Sequence, residues 1–453
     1  MPPKSSFPNS TEGWSVYFEE SGNRSIRGLS AGRFRVQATK SCVTTQPLIY
    51  SQEGDTKLMP TQKMRSVPAK LSVCFVVTVE STALNFYQGY LSFLEQNGWR
   101  VWLIAASAGR LEGFAANENA TAVSVQMERD PSPIKDFLSL IRMTRAIYLI
   151  RPDVVVTATP KAGLIGGVAA VLCRVPTRVY QLWGLRLETE VGLKRRLLMF
   201  TEMITLRSST QVVANSESLA ALVGTLRLAK GLRPLVLGKG SSHGVDIVKF
   251  SDQAVFGEVD AATQAFLEKD PSSKTLAFIG RIHDDKGIDT LAVALEICFK
   301  FGTKVNVLMI GTKESQRAVD RIDQAARLGP IHWVGEVHDT RPYVNATDIL
   351  CLPSRREGFP NVVLEAAAMG VPAIVSDATG VVDSVEDGST GIIFPTDNAV
   401  ALAQAINVLV KDSALRRDLG LRAQERVRSD FRAESIWALQ EKNLREQLGR
   451  DIN

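Results

Sequence analysis

The stretch SRREGFPNVVLEAAAMGVP, residues Ser354–Pro372, has the pattern of a polar loop followed by a short buried helix. It follows Asp348–Pro353 (DILCLP), an apolar run typical of a buried parallel strand. Gly370 and Pro372 supply the stop signals of the predicted helix. A strand, a glycine-containing loop and a helix N-terminus together form an anion site, because free backbone N–H groups point to one place.

Two carboxylates flank this predicted anion site, Glu357 in the loop and Glu365 in the helix. Like charges repel, so these side chains are not expected to bind the phosphate itself. Carboxylates suit hydroxyl groups that lie beside a phosphate, and such groups are found on sugars. The stretch therefore predicts a site for a nucleotide-sugar.

Length and composition indicate a globular chain with more than one core. A chain of 453 residues suits two α/β domains with additional segments, and 45% of the residues are hydrophobic. The net charge of +5 is compatible with anionic substrates or a negatively charged membrane face. No basic stripe with interleaved aromatic residues is present, so the sequence does not predict a nucleic-acid partner.

Cysteine, histidine and targeting signals argue for a reducing compartment without a metal site. The cysteines are five in number and scattered, so they are expected to be small buried apolar residues rather than disulfide partners. The four histidines lack metal-ligand spacing. The first ten residues, MPPKSSFPNS, lack the apolar segment of a signal peptide, and no uncharged run reaches spanning length. We therefore expect a cytoplasmic protein, with peripheral contact to the inner face of the membrane left open.

Strand and helix patterns alternate from Leu71 to the end of the chain, and this alternation predicts doubly wound parallel sheets. Residues 1–70 are rich in Ser, Pro, Gly, Thr and Gln and are expected to form a disordered or loosely attached extension. A glycine- and serine-rich segment near Asp246 is the predicted crossing between two domains, 71–245 and 246–431. We expect a last helix over residues 432–453, and leave open whether it packs back on the first domain.

Two further motifs are expected at the edge of the second sheet that carries the Ser354–Pro372 loop. Phe278–Gly287 (FIGRIHDDKG) places Arg281 after a strand and Lys286 before a helix, where both cations can hold a diphosphate. The alternative is an ordinary surface Arg and Lys in a turn that also contains Asp284 and Asp285. Gly335–Val337 (GEV) follows another strand, where backbone groups can pair with the edge of a base.

The motifs in this order resemble family 4 glycosyltransferases of the GT-B fold, in which two Rossmann-like doubly wound domains face each other across a cleft. The resemblance covers roughly residues 71–435. It is carried by Gly280-Arg281, Lys286-Gly287, Gly335-Glu336, the Glu357/Glu365 pair around GFPN, Glu386-Asp387-Gly388 and Gly391–Pro395. In the first half, the segments TPKAG, GLRLE, GLKRR, NSES and GKGSSHGV are similar to bacterial transferases for capsular polysaccharide, exopolysaccharide and lipid-linked oligosaccharide.

The resemblance implies a function and a set of site residues. It implies transfer of a sugar, with retention of configuration, from a nucleoside-diphosphate-sugar (expected to be a UDP-sugar) to a lipid-linked or growing saccharide, without metal or cofactor. Arg281 and Lys286 would hold the diphosphate, Glu357 the sugar hydroxyls and Glu365 the ribose; Glu357, Arg281 and Lys286 are the implied catalytic residues. The implied donor-binding residues are Gly280, Arg281, Lys286, Glu336, Val337, Glu357, Gly358, Phe359, Pro360, Asn361, Val362 and Glu365.

The first half departs from the family at Trp183, where relatives commonly carry His in a Tyr-x-x-His-Gly context. Trp183 suits stacking on a sugar face, or equally a place in the core at the end of a strand. Lys161 begins a helix, where its charge is unfavourable unless an anion is near, or it is a solvated surface lysine. Lys161, Trp183 and Arg186 are the predicted acceptor-binding residues.

The segment from Lys194 to Phe200 (KRRLLMF) has a basic and apolar pattern that suits docking on anionic lipid. A salt-bridged helix packed on its own domain explains the same pattern. Two alternatives to the transferase remain open, a nucleotide-sugar 2-epimerase of the same fold and a non-catalytic scaffold in a polysaccharide complex.

Overall fold

The first sheet is built around its most apolar strand, β1 (Leu71–Val79), whose first eight residues are buried in the computed structural model. The structure describes residues 70–128, 132–228, 231, 233–251 and 253–449, so that the predicted extension 1–70 lies outside it except for Lys70. All strands pair in parallel, in the order β3-β2-β1-β4-β5-β6-β7. The other strands of this sheet are β2 (Trp99–Ala106), β3 (Thr121–Ser124), β4 (Val154–Ala158), β5 (Thr177–Leu182), β6 (Gln211–Ala214) and β7 (Leu235–Val236).

The second sheet has six parallel strands in the order β10-β9-β8-β11-β12-β13. Its strands are β8 (Lys274–Ile279), β9 (Val305–Ile310), β10 (Ile331–Gly335), β11 (Ile349–Leu352), β12 (Ala373–Ser376) and β13 (Gly391–Phe394). β8 and β11 are direct neighbours. Because they are parallel, the two motifs that follow them leave the sheet at the same edge.

Helices cover both faces of each sheet. In the first domain they are α1 (Glu80–Phe86), α2 (Tyr90–Gln96), α3 (Leu111–Asn117), α4 (Pro133–Ile150), α5 (Pro160–Leu172), α6 (Gly192–Ser208) and α7 (Glu217–Thr225). After them come α8 (Ala261–Leu267), α9 (Ile288–Lys300), α10 (Gln316–Ala325), α11 (Arg341–Asn345), α12 (Asn361–Ala368), α13 (Ala399–Lys411), α14 (Ser413–Asp430) and α15 (Ala433–Gln447). None of the helices in the described part is both long and apolar enough to cross a lipid bilayer.

The cores follow from the period-two alternation of the strands. Phe75 and Val77 of β1 belong to the apolar cluster on one face of the first sheet, and Cys74 and Val76 to the cluster on the other face. The second sheet has one large cluster of its own. The two doubly wound domains predicted from the sequence are therefore confirmed.

The last helix returns to the first domain. The chain crosses between the sheets twice at one place, where Val245 N–H donates to Phe431 O (2.8 Å) and Ala433 N–H donates to Val245 O (2.9 Å). From there α15 packs beside α2. Trp99 Nε1 donates to Glu441 Oε1 at 3.0 Å, which ties α15 to the first sheet.

Some elements differ from the sequence-based expectation. The sequence pattern over Asn85–Gln96 predicts one helix, but the structure has two helices there, α1 and α2, separated at Gly89. Gly89 has φ of +79°, and a Cβ there would lie 2.6 Å from the ring of Trp437, so the break makes room for α15. The sequence also predicts a turn at Tyr343–Ala346, whereas in the structure most of this segment belongs to the short helix α11.

Candidate functional site

The turn after β8 is held tightly against the end of β11 by a glycine. Asp284–Lys286 forms one turn of 3₁₀ helix, and Gly287 follows with φ of +67°. A Cβ on Gly287 would lie 1.9 Å from the carbonyl oxygen of Pro353, a distance that no side chain tolerates. This close approach brings Lys286 next to the loop that follows β11.

Lys286 and Glu357 form an ion pair in this loop. Lys286 Nζ lies 2.5 Å from Glu357 Oε1, and the side chains are only 14% and 17% exposed. Ser354 Oγ donates to the same oxygen at 2.9 Å. Two residues predicted for the donor site are thus in direct contact, in a partly buried place where a charge interaction is stronger than in water.

Arg281 points from the end of β8 towards solvent and is held by acidic partners. Its Nη1 donates to Glu314 Oε2 at 2.6 Å, and its Nη2 lies 3.6 Å from Asp285 Oδ2. Burial favours the neutral form of Asp285, but the charges of Lys286, Arg356 and Arg281 and the hydrogen bond to His283 outweigh it and hold the pKa of Asp285 below its usual value. Asp285 is therefore a fixed negative charge that gathers three cations at this edge of the sheet.

The backbone between Glu357 and α12 is enclosed by both domains. A Cβ on Gly358 would lie 2.4 Å from the carbonyl oxygen of Trp183 in the first domain. On the other side, a Cβ on Gly380 would lie 2.4 Å from Glu357 O. Glu357 N–H donates to Thr379 O at 2.9 Å. The loop is thus fixed in position, and the first domain closes over it.

Asn361, the first residue of α12, bonds to the segment between the two domains. Ser241 Oγ donates to its Oδ1 at 3.2 Å, and its Nδ2 donates to Ser242 Oγ at 3.1 Å. His243 also lies within hydrogen-bond distance of Nδ2, and burial lowers the pKa of His243 to about 4. A neutral His243 can accept from Asn361, so this contact couples the start of α12 to the crossing segment.

Glu365 lies one turn into α12, and burial raises its pKa to about 7 despite the opposing charge of Lys249. Glu336 is exposed after β10, and Val337 packs against the second core. Phe359 is buried beside Phe431, with ring centroids 5.5 Å apart. These residues lie at or behind the same sheet edge as Lys286 and Glu357.

The wall contributed by the first domain contains an aromatic cluster. The ring of Phe86 stacks on Trp183 with a centroid distance of 4.4 Å and an interplanar angle of 17°. Trp183 also packs against the first core, and its Nε1 is buried without a hydrogen-bond partner among the described residues. One face of Trp183 is thus covered by protein, as expected for the core alternative.

A separate cavity of about 460 Å³ opens in the first domain. Lys161 and Arg186 both line it, and Trp183 does not. Lys161 Nζ pairs with Asp136 Oδ1 at 2.8 Å. The other residues that line the cavity are mostly apolar and include Leu164, Ile165, Leu197 and Leu198. The structure therefore brings two of the three predicted acceptor residues to one cavity and leaves the third outside.

The sequence did not predict several of the contacts across the cleft. Arg356 donates from Nε to Thr189 Oγ1 (3.1 Å) and from Nη2 to Asp285 Oδ2 (2.9 Å). Ser218 Oγ donates to the carboxylate of Asp383, and Gly380 N–H donates to Ser218 Oγ at 2.8 Å. Ser218 belongs to the NSES segment, which marked the chain by resemblance but gave no sign of its partner.

Glu188 lies near the same contacts. Burial raises the pKa of Glu188, and this effect exceeds the opposing effects of the hydrogen bond from Thr379 and the charge of Arg356.

Over the described ranges, no three His, Cys, Asp or Glu side chains are grouped closely enough to hold a metal ion.

Known proteins resemble both halves of the chain. Residues 273–412 match the family model described as glycosyl transferases group 1, and residues 88–236 match the model described as glycosyl transferase 4-like domain. The capsular polysaccharide biosynthesis glycosyltransferase CapM of Staphylococcus aureus is 33% identical over 364 residues, which cover 80% of this chain and 93% of CapM.

A second relative and a solved structure agree with this assignment. The N,N'-diacetylbacillosaminyl-diphospho-undecaprenol alpha-1,3-N-acetylgalactosaminyltransferase of Campylobacter jejuni is 26% identical over 64% of this chain and 76% of its own length. Anabaena Alr3699/HepE, solved in complex with UDP and glucose, has the same fold, with a TM-score of 0.67 at 16% identity over 83% of this chain and 100% of that one. The chain belongs to the family 4 glycosyltransferases of the GT-B fold.

Proposed function

We propose that this glycosyltransferase moves a sugar from a UDP-sugar to a lipid-linked or growing saccharide, with retention of anomeric configuration, during synthesis of a cell-surface polysaccharide. The name of CapM supports the polysaccharide, and the name of the Campylobacter jejuni enzyme supports an acceptor on a lipid diphosphate. The complex of Anabaena HepE with UDP and glucose supports the donor class. The reaction would take place in the cytoplasm, at the inner face of the membrane.

The contact between Lys286 and Glu357 carries the donor assignment. A cation beside a helix N-terminus suits a diphosphate, and a carboxylate beside that cation suits the hydroxyl groups of the attached sugar. When the donor binds, Lys286 and Arg281 exchange part of their carboxylate contacts for phosphate oxygens. The backbone N–H groups of Gly358, Phe359, Asn361 and Val362, before and at the start of α12, face the distal phosphate and the sugar.

The other donor-site residues complete this arrangement. Glu365 accepts hydrogen bonds from the ribose, and Glu336 and Val337 lie where a base edge pairs with backbone. Gly280 lets Arg281 leave β8 towards the diphosphate. Phe359 and Pro360 hold the loop, and Asn361 fixes the start of α12 through Ser241 and Ser242.

The chemical step needs charge stabilisation more than a protein base. The acceptor hydroxyl forms the new bond to the anomeric carbon while the bond from that carbon to the diphosphate oxygen breaks. The electron pair goes to the leaving oxygen, which takes the proton of the hydroxyl. Arg281, Lys286 and the α12 N-terminus stabilise the negative charge on the leaving diphosphate, so the proposed reaction requires neither a metal nor another cofactor.

The acceptor is placed in the cavity of the first domain. Lys161 and Arg186 supply positive charge for the acceptor phosphates, and the apolar lining suits the adjoining lipid. Trp183 positions the donor loop from the wall of the cleft, because its carbonyl oxygen lies against Gly358.

A product assay with a panel of UDP-, GDP- and ADP-sugars tests this function, with Lys286→Ala as the diagnostic variant. We expect transfer from a UDP-sugar and a fall of about 10²–10³-fold in kcat/KM for Lys286→Ala, because one electrostatic contact to the leaving group is lost. Arg317→Ala is the matched control, since Arg317 is an exposed cation on α10 that pairs with Asp289. It should keep wild-type activity.

Two outcomes would contradict the proposal. If the wild-type protein gives no thermal shift with any nucleotide-sugar, the scaffold alternative is favoured. If incubation with UDP-N-acetylglucosamine alone gives its 2-epimer, the chain is an epimerase.

A further inference from the structure

Helix α4 carries an apolar stripe on the outside of the molecule. Ile134, Phe137, Leu138 and Ile141 follow each other at helical spacing and are 79%, 62%, 46% and 51% exposed. The opposite face of α4, through Met143 and other residues, is buried against the first domain. No other part of the described chain packs on the outer face, and an exposed apolar surface of this kind marks an interaction site.

Helix α6 presents a second apolar stripe. Leu193, Leu197 and Phe200 are 82%, 52% and 58% exposed and also lie one helical turn apart. α5 packs between α4 and α6. Leu197 lines the cavity of the first domain from the α6 side, and Asp136 lines it from the α4 side. The two exposed stripes therefore adjoin the same cavity.

Both helices contain more basic than acidic residues. α4 contains Lys135, Arg142 and Arg145 but a single acidic residue, and α6 contains four basic residues and a single acidic one. The acidic residue of α4, Asp136, is paired with Lys161. The acidic residue of α6, Glu202, is buried within the domain. Glutamates outside the two helices pair with two of the lysines, Glu128 with Lys135 and Glu190 with Lys194. Within the described residues Arg142, Arg145 and Arg196 are exposed and form no ion pair, so the face keeps a net positive charge that favours a negatively charged partner.

We propose that the outer faces of α4 and α6 form a docking face for an anionic lipid bilayer, with the mouth of the cavity held at the lipid surface. Apolar side chains enter the boundary between headgroups and acyl chains, while lysine and arginine contact the headgroups. A lipid-linked acceptor then reaches Lys161 and Arg186 without leaving the bilayer. This last step rests on the proposed function, whereas the docking face itself does not.

Vesicle flotation tests the docking face. The wild-type protein should float with vesicles that contain phosphatidylglycerol and remain below with pure phosphatidylcholine, and added salt should weaken its binding. The double variant Phe137→Glu with Phe200→Glu should lose binding by about tenfold or more, because one charged side chain replaces an inserted ring on each helix.

A double variant on exposed side chains outside these helices is the matched control. Phe301 and Val255 are 85% and 96% exposed, so Phe301→Glu with Val255→Glu adds the same charge elsewhere. This variant should lose less than about threefold, through the added negative charge alone. All variants should melt at the wild-type temperature, since the changed side chains are exposed.

The proposal is overturned if the wild-type protein ignores phosphatidylglycerol vesicles, which would assign the face to a protein partner. Equal flotation of the α4/α6 variant and the wild-type protein would also overturn it. UDP-sugar binding by the same variants separates this result from the proposed function. A docking failure with normal donor binding leaves the transferase proposal standing, and flotation without donor binding leaves only the docking face.

Discussion

Glu365 combines two demands on a single side chain. Burial in α12 raises its pKa to about 7, whereas the proposed contact with ribose hydroxyls requires its ionised form. The folded protein thus keeps the proton of Glu365 at a pH where an exposed glutamate, with a pKa of 4.5, has already lost it. The contribution of this group to the free energy of unfolding is present below pH 4.5, falls as pH rises between 4.5 and 7, and is lost above 7.

Glu365→Gln removes this titration. We expect the melting temperature of the variant, relative to wild type, to increase between pH 5 and pH 8, since only the wild-type protein must ionise a half-buried carboxyl whose pKa is raised. UDP affinity of the wild type should rise through about pH 7, and that of the variant should not. Thermal unfolding and UDP titration at both pH values measure these effects. Glu446→Gln, at an exposed position of α15, is the control, and parallel pH profiles for Glu365→Gln and wild type would refute the assignment.

The sequence predicts the sheet edge at which Lys286 and Glu357 lie, but it does not predict the contact between them. Lys286 and Glu357 were assigned to one sheet edge because each follows a strand that could be recognised from its apolar run. Their direct pairing depends on the turn at Gly287, whose close approach to Pro353 involves residues far apart in the chain. Arg356 was overlooked for the same reason, since its partner Thr189 lies in the other domain.

The long elements were predictable and the short ones were not. β1, β4 and β8 are largely apolar segments, and such segments predict buried parallel strands directly. β3 has four residues, none of them fully buried, so it carries no apolar pattern of its own. α8 has only seven residues, and its clearest signal is the capping side chain of Asp260.

The loop between β11 and α12 has no room for a side chain at Gly358. A Cβ there would meet the carbonyl oxygen of Trp183 at 2.4 Å, and a backbone carbonyl cannot turn away as a side chain can. Gly358→Ala should therefore push the loop and the first domain apart. We expect kcat to fall by about 100-fold, because displacement of a positioning element by about 1 Å has an effect of that size.

Steady-state kinetics and circular dichroism check the Gly358→Ala prediction, since the secondary structure should be retained. Gly257→Ala is the matched control, because a Cβ on Gly257 meets no atom within 4 Å. Unchanged kcat in Gly358→Ala would mean that the contact between Gly358 and Trp183 does not position the loop.

At the scale of the molecule, the chain joins its two sheets by crossing twice at one place and by contacts across the cleft. Where the chain crosses between the sheets, Val245 forms backbone hydrogen bonds with Phe431 and Ala433. The cleft contacts include Ser218 with Asp383. Because α15 follows the second sheet in sequence but packs on the first, the stability of the first domain depends on α15.

Trp437 is the residue through which this dependence can be measured. Its ring packs against Tyr90 and Phe93 of α2, with centroid distances of 6.2 and 5.9 Å, and fills the space left by Gly89. Trp437→Ala should lower the free energy of unfolding by about 2–3 kcal/mol, less than for a fully buried tryptophan because the side chain is only half-buried. UDP affinity should stay at the wild-type value, since the proposed donor residues belong to the second domain. Denaturant unfolding and UDP titration measure the two effects.

Leu421→Ala is the control, because it removes a 66% exposed apolar side chain from α14 and should change neither the free energy of unfolding nor the UDP affinity. A Trp437→Ala protein as stable as wild type would show that α15 does not hold the first domain together, and a loss of UDP affinity would place its influence in the cleft.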